Sequence, residues 1–244
     1  MELIKITEKL LLVRCKGNKL PECNIYAVLY SKGSFLIDCG NGFSAKEMIE
    51  KFREMKHPIT HIFLTHCHFD HSLGAGIFKK KGVKIISHIN TAIALKSEVF
   101  RVWYEHPERV KPVEVDIELK DEEEIHIEEM KVKTVYTPGH TSGSMSYLIE
   151  IDGKRCLFTG DLIAEEGELP WAGSIDFDME RVISSVEKID KIDFDYLFGG
   201  HWYSLDEGKK WIEEGIEKGK RGKWEIDKSF KKYSLEELRN DQVY

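Results

Sequence analysis

THIFLTHCHFDHSLGAG, residues 60–76, is the stretch that decides how the chain is read. An apolar run from Ile62 to Leu64 delivers His66, His68, Asp70 and His71 into a turn closed by Gly74 and Gly76. Four ligand-type side chains within six positions point to a metal site; the alternative is a surface turn that happens to be rich in histidine. On an extended backbone residues two apart face the same way, so His66 and His68 can converge on one ion, while Asp70 and His71, past the strand end, can face a second. By the same alternation Cys67 points away, toward packing.

Outward from this stretch the chain alternates strands and helices. Before it, LIKI, KLLLVRC, NIYAVLYS and SFLID read as a β-meander. The tip of the loop after Cys15, at Leu20, either overhangs a pocket or is an ordinary solvated hairpin end. Ala45, Met48, Ile49 and Phe52 follow helical spacing, with Ser44 as N-cap and Glu47 completing a capping box. After it, residues 72–81 read as a short helix, VKIISH as a strand, and Asn90 as the N-cap of a further helix. Residues 97–112, with Trp103 and Tyr104, form either a lid or a helix packed on its neighbour. EIHI within DEEEIHIEE alternates like a half-exposed edge strand. KVKTVYT, SMSYLIEI and KRCLFTG are strands, the last two joined by an Asp152-Gly153 hairpin turn. Residues 178–189 and 206–220 read as helices flanking the strand FDYLFGG. Strands then helices, twice over, predict an α/β (α+β) fold: two sheets back to back with helices outside, a four-layer αββα sandwich. The expected organisation is a single domain over 1–244, with a core over 1–220 and a tail or helix over 221–244.

The other conspicuous residues follow in order: Asp38 in FLIDCG, His140 in TPGHTSGS, Asp161 in LFTGD and His201 in LFGGH. Pro138 and Gly139 force a turn, so that His140 projects from a loop; the glycines before Asp161 and His201 let backbone approach closely. His-x-His-x-Asp-His together with these motifs, in this order along the chain, resembles the metallo-β-lactamase fold superfamily of metallohydrolases, glyoxalase II-like in its ligand pattern, over residues 24–201. The resemblance implies that His66, His68 and His140 bind a first metal, that Asp70, His71 and His201 bind a second, and that Asp161 bridges both. It places Asp38 beneath the metals, orienting a ligand by hydrogen bonding. The implied cofactors are two divalent ions, zinc foremost, with iron or manganese compatible. Ions about 3.5 to 4 Å apart would hold a water and bring its pKa from about 15.7 toward 7, so that hydroxide is the expected nucleophile. Asp70 and Asp161 are the catalytic carboxylates, ligands first and proton relays second. Trp171, Trp202 and Tyr203, beside ligand motifs, are candidate pocket residues, with core packing as the alternative. His57, His61, His88, His106 and His126 match no motif and are assigned no role.

Departures from subgroup patterns narrow the reading. His68 stands where flavodiiron proteins carry Glu. True β-lactamases usually lack an Asp at the position of Asp161. Lactonases that open acyl-homoserine lactones place a Tyr shortly after that Asp, whereas Leu162, Ile163 and Ala164 follow here. The glutathione-binding basic segment of glyoxalase II proteins is not recognisable, AEEGELPWAGS lacks the Cys-Gly-Arg of persulfide dioxygenases, and CGNGFS replaces the Gly-Glu-Gly turn of ribonuclease Z-like nucleases. The expectation is a metal-dependent hydrolase of a small ester, thioester or lactone-like substrate. The alternatives are a mononuclear non-haem iron persulfide dioxygenase, a phosphodiesterase or nuclease-type member, and a non-catalytic metal-containing binding protein.

Composition limits partners. With 244 residues and a formal net charge of -7, no global field draws the protein to nucleic acid or anionic membrane, and a small-molecule substrate is expected. Five scattered cysteines without a CxxC pair argue against a disulfide framework and for a cytoplasmic home. The N-terminus does not read as a secretory signal, and no apolar run approaches the roughly 20 residues of a membrane span.

Overall fold

Apolar runs long enough to be buried on both faces pair into two sheets in the computed structural model, which describes residues 1–15, 22–96, 111–170 and 176–222. The first sheet takes β1 (Glu2–Lys5), β2 (Leu10–Arg14), β3 (Ile25–Tyr30), β4 (Gly33–Ile37), β5 (Ile59–Phe63), β6 (Lys84–His88) and β7 (Ile117–Leu119), in that spatial order. It is antiparallel through β4 and parallel from β4 to β7. Parallel neighbours need crossovers. Helix α1 (Ala45–Glu54) supplies the one between β4 and β5, and α2 (Phe69–Ser72) with α3 (Ala75–Lys79) the one between β5 and β6. The short α4 (Ile89–Leu95) follows β6.

The second sheet takes β8 (Glu124–Ile127), β9 (Met130–Tyr136), β10 (Met145–Ile151), β11 (Lys154–Gly160), β12 (Tyr196–Gly199) and β13 (Tyr203–Ser204), in the order β13-β12-β11-β10-β9-β8. Its single parallel pair, β11 with β12, is bridged by α5 (Met179–Asp190), and α6 (Gly208–Lys220) follows β13. The Asp152-Gly153 turn joins β10 to β11 as expected.

Alternation along each strand sorts side chains into three cores. Leu10, Leu12, Phe35, Ile37 and Phe63 face Tyr147, Ile149, Phe158 and Phe198 between the sheets. Leu11, Leu36 and Ile62 turn outward against Met48, Phe52 and Phe78 of the helices. Leu157 and Leu197 do the same against Val182, Val186 and Ile212. Helix, sheet, sheet, helix is the four-layer αββα sandwich predicted above, and helical cover outside each sheet explains why a central strand such as β3 reads as an unbroken apolar run while the edge strand β8 alternates.

Local signals gave way where tertiary contacts offered more. Ser44 stands at the N-cap position of α1 without a side-chain cap bond, and Glu47 accepts from the N-terminal ammonium of Met1 at 3.3 Å, so the capping box is not formed. The cap of α4 is His88, whose Nδ1 accepts from the Asn90 N–H at 3.2 Å; the Asn90 amide instead reaches across to Ser142 O at 3.0 Å. The helix expected over 72–81 is two short helices, and the strands at 117–119 and 203–204 were not expected. Leu20, Trp103, Tyr104, Trp171 and residues 223–244 lie outside the described residues. None of the five cysteines is in a disulfide. Among the described residues no helix is long and apolar enough to cross a membrane.

Candidate metal centre

Seven side chains of ligand type meet where β5, β9, β11 and β12 end. Beyond β5 the chain stays extended through His66 and His68, and α2 then adds Asp70 and His71 one helical turn on. Cys67, between the two histidines, packs into the helix-side core of the first sheet. His140 follows β9 in a loop that rests on α5: Gly139 adopts φ 138°, and a Cβ there would lie 2.4 Å from Val182 N. Asp161 follows β11 directly. His201 follows β12, and the backbone before it passes so close to the centre that a Cβ on Gly200 would sit 2.0 Å from Asp161 Oδ1.

The side chains fall into two groups sharing Asp161. His66, His68, His140 and Asp161 present ligand atoms within 4.8 Å of one another, as do Asp70, His71 and His201. His68 Nδ1 lies 3.1 Å from His66 Nε2 and 3.0 Å from His140 Nε2. These spacings approach the edge of a zinc tetrahedron, roughly 3.3 Å for Zn–N bonds of 2.0–2.1 Å. Asp161 Oδ2 is 3.8 Å from His66 Nε2, 3.6 Å from His140 Nε2 and 3.5 Å from His201 Nε2, while its Oδ1 is 3.3 Å from His71 Nε2. Asp70 Oδ2 stands 3.4 Å from His201 Nε2 and 3.6 Å from His71 Nε2.

Beneath the groups lies a support that the motif reading caught only in part. Asp38 is 2 % exposed and accepts three hydrogen bonds, from Thr65 N at 2.7 Å, Thr65 Oγ1 at 2.8 Å and His71 Nδ1 at 2.8 Å. Because the Thr65 hydroxyl spends its proton on Asp38, its contact of 3.0 Å with His66 Nδ1 is satisfied when the imidazole N–H donates to it. One carboxylate therefore fixes the tautomer of two histidines, His71 directly and His66 through Thr65, and turns both Nε2 lone pairs toward the centre. Thr65 was missed although it immediately precedes His66; a hydroxyl beside a ligand was the available signal. Tyr147 was also missed, and its hydroxyl donates to Leu64 O at 2.6 Å, pinning the segment from the opposite sheet.

Electrostatics divides the histidines. Burial, reinforced by His71 and His68, holds His66 well below the ordinary imidazole range. Burial lowers His68, and burial followed by the neighbouring His68 brings His140 down to about 3. These three are neutral, as metal ligands must be. Burial also opposes charge on His71, but Asp161, the Cys23 sulfur, Asp70 and Asp38 together outweigh it and raise this group well above its usual value. For half-exposed His201 burial is overcome by hydrogen bonds to Asp161 and Asp70, which lift it to about 9. Burial opposes the charge of Asp161, yet the charge of His71 and the hydrogen bond from His201 hold its carboxyl well below the carboxylate range. The carboxylates thus draw protons onto the second group of histidines, where a cation would compete for the same atoms.

Among the described residues, the buried side-chain atoms without a hydrogen-bond partner include His71 Nε2 and Asp161 Oδ1 at the centre and both carboxylate oxygens of Glu22. Leaving such groups unpaired costs about 1–3 kcal/mol each, and the two at the centre are atoms a divalent cation would engage. Together with the neutral nitrogens and converging carboxylates, they make the set a fit for divalent cations. Cys23, Asp38 and His71 also cluster, but His71 Nδ1 is committed to Asp38 and burial pushes the Cys23 thiol up to about 12.

A cavity of about 430 Å³ opens over the centre. His68, Asp70, His140, Asp161 and His201 supply its polar lining, and Phe69, Ile163, Ala164, Leu169, Pro170 and Trp202 its apolar lining. Of the pocket candidates, Trp202 lines the cavity. Tyr203 does not: adjacent strand residues face opposite ways, and its ring packs toward the inter-sheet core, 6.1 Å from Phe198. The aliphatic members of the wall carried no sequence signal that separated them from core residues.

Comparison with known proteins agrees with this architecture. The family model described as metallo-beta-lactamase superfamily matches residues 19–201. An atrochrysone carboxyl ACP thioesterase of Aspergillus fumigatus is 23% identical over 205 residues, which cover 83% of this chain but only 58% of that protein. An N-acyl homoserine lactonase of Bacillus cereus is 25% identical over 201 residues, covering 79% of this chain and 76% of the lactonase. Among solved structures, a metallo-beta-lactamase from Cronobacter sakazakii, a HARLDQ-motif mutant, superposes with a TM-score of 0.72 at 16% identity, covering 91% of this chain and 96% of that one.

Proposed function

The chain belongs to the metallo-beta-lactamase superfamily, and from that premise we propose that it is a hydrolase holding two divalent cations, zinc foremost, that cleaves a small ester, thioester or lactone-like substrate. The observation that carries this reading is the placement of Asp161, whose Oδ2 faces His66, His140 and His201 while its Oδ1 faces His71. A carboxylate shared by two groups of ligand atoms is what a bridged pair of ions requires. When bound, such ions supply Lewis-acid activation of a carbonyl and a water whose pKa falls from about 15.7 toward 7. The chain's own residues do the rest. Asp38 and Thr65 hold His66 and His71 in the ligating tautomer, His68 and His140 stay neutral through burial, and the apolar side of the cavity limits water around the acyl group. Asp70 and Asp161 both line the cavity, so either carboxylate can hold a proton released as the bond between acyl carbon and heteroatom breaks, ligation being their first role. Two of the relatives are named for reactions that split such a bond, one a thioesterase and one a lactonase.

The test is metal analysis of protein purified without chelator, beside hydrolysis of an ester, thioester and lactone panel. About two ions per chain and turnover are expected. Asp161→Ala should lose an ion and nearly all turnover, and Cys67→Ser should keep both. A single iron per chain with no hydrolysis, or wild-type metal content in Asp161→Ala, would overturn the reading.

A further inference from the structure

The apolar part of the cavity wall is made of Phe69, Ile163, Ala164, Leu169, Pro170 and Trp202. In a chain that is 32% charged, this wall carries no charge, and among the described residues no Lys or Arg lines the cavity. We propose that the wall seats an uncharged apolar acyl group. The substrate of the hydrolytic centre, whose existence this inference takes from the function proposed above, is then a neutral hydrophobic ester, thioester or lactone. An acyl part ending in carboxylate or phosphate would meet no countercharge on the wall, and burying it there carries the desolvation cost of an unpaired ion.

The wall is built before any ligand arrives. The segment after Asp161 runs through buried Leu162 and Ile163 and folds back at residues 164–168, where Ala164 N donates to Glu168 O at 2.7 Å. Three ties hold it. Trp202 Nε1 donates to Ile163 O at 2.8 Å, and the same indole meets Trp211 edge to face at 5.1 Å. Lys218 on α6 donates to Glu166 O at 2.7 Å and to the Glu168 carboxylate. Gly167 lies so close to α6 that a Cβ would come 2.6 Å from Trp211 O. A fixed apolar surface beside the reacting centre spends little on ordering when a chain docks, so methylene burial appears in affinity and rate.

The experiment uses zinc-loaded protein and 4-nitrophenyl esters of ethanoic, butanoic, hexanoic and octanoic acid, beside the 4-nitrophenyl monoester of glutaric acid. Each methylene seated on the wall is expected to raise kcat/KM about fourfold, from 0.8 kcal/mol per buried CH₂, until the chain outgrows the cavity. The glutarate ester should fall at least about 100-fold below the butanoate ester. Leu169→Arg should flatten the neutral series and raise the glutarate ester. A readout without turnover accompanies these, the affinity of non-hydrolysable 4-nitrophenyl methyl, propyl and butyl ethers by calorimetry, which should tighten with length in the wild type and not in Leu169→Arg. Hydrolysis that ignores chain length, or prefers the glutarate ester, overturns the inference and leaves the hydrolase reading standing. Ether affinity that ignores length overturns it whatever the esters do. Length-dependent ether binding with no ester hydrolysis supports the apolar seat and overturns the hydrolase reading.

Discussion

Replacing Asp38 by asparagine preserves side-chain size and suits the left-handed backbone at φ 60°, a conformation asparagine tolerates, yet it removes an acceptor where three donors converge. If the introduced amide turns its oxygen to Thr65 N, its NH₂ faces His71 Nδ1 and Thr65 Oγ1, which lie 2.8 Å from the present Oδ2. His71 then relieves the clash by moving its proton to Nε2, the nitrogen that faces Asp161 at 3.3 Å and Asp70 at 3.6 Å. If the amide turns the other way, Thr65 N–H faces NH₂ and cannot reorient. The first arrangement puts a proton on the nitrogen a cation needs and the second sets donor against donor in a buried site, a cost of about 1–3 kcal/mol, consistent with the 10–100-fold loss of metal affinity typical when the partner of a ligand is removed. The loss should concentrate in the Asp70, His71 and His201 group, because the Thr65 hydroxyl can still accept from His66. Thr65→Val should do the opposite, leaving His71 paired with Asp38 while His66 Nδ1 loses its acceptor, and so weaken the first group. Competition with a chromogenic chelator at pH 7.5 measures both affinities, and nitrogen NMR of the imidazoles reads the tautomers. Wild-type affinity for both ions in Asp38→Asn, with both Nδ1 protons unmoved, would refute the argument.

Two further outcomes follow from the charges. His201 is lifted to about 9 by its hydrogen bonds to Asp161 and Asp70 despite burial, so at pH 7.5 the metal-free protein keeps a proton there that a cation must displace; calorimetry in buffers of differing ionisation enthalpy should find at least one proton released per chain, and affinity should climb with pH until about 9. Glu22 is pushed up to about 7 by burial and then by the charge of Asp70, so the folded state binds a proton that the unfolded state gives up from about 4.5. In metal-free protein this costs stability progressively as pH rises from 4.5 to 7. Glu22→Gln should therefore stabilise at pH 8 by about 1–2 kcal/mol, a figure reduced for the partial exposure of the group, and leave stability at pH 4 unchanged, as read by urea unfolding; equal stability of the two proteins at pH 8 would contradict it.

What could be read from the chain and what could not divides along one physical line. The seven ligand-type residues stand in short motifs because each strand end delivers its own contribution locally, and residue type with spacing is enough to notice them. The sandwich was legible because helices cover both sheets, which leaves β3 and β4 buried at every position and mostly apolar, and so separates them from amphipathic α1, α5 and α6. Everything that depends on contact between distant segments was hidden. Ser44 and Glu47 match a capping box, but the N-terminal ammonium claims Glu47 from 46 residues away. Trp202 and Tyr203 are equal candidates on paper, and only the pairing of β13 with β12 sends one to the cavity and the other to the core. The apolar wall is the strongest case, since Ile163, Leu169 and Pro170 become a surface for a ligand only because Lys218 and Trp202 fasten their segment against α6. Ligand atoms are therefore a property of motifs, while tautomer, proton count and the shape offered to a substrate are properties of packing. A variant that spares every ligand, such as Thr65→Val or Leu169→Arg, should on this argument change metal affinity or substrate preference while leaving the motif pattern intact.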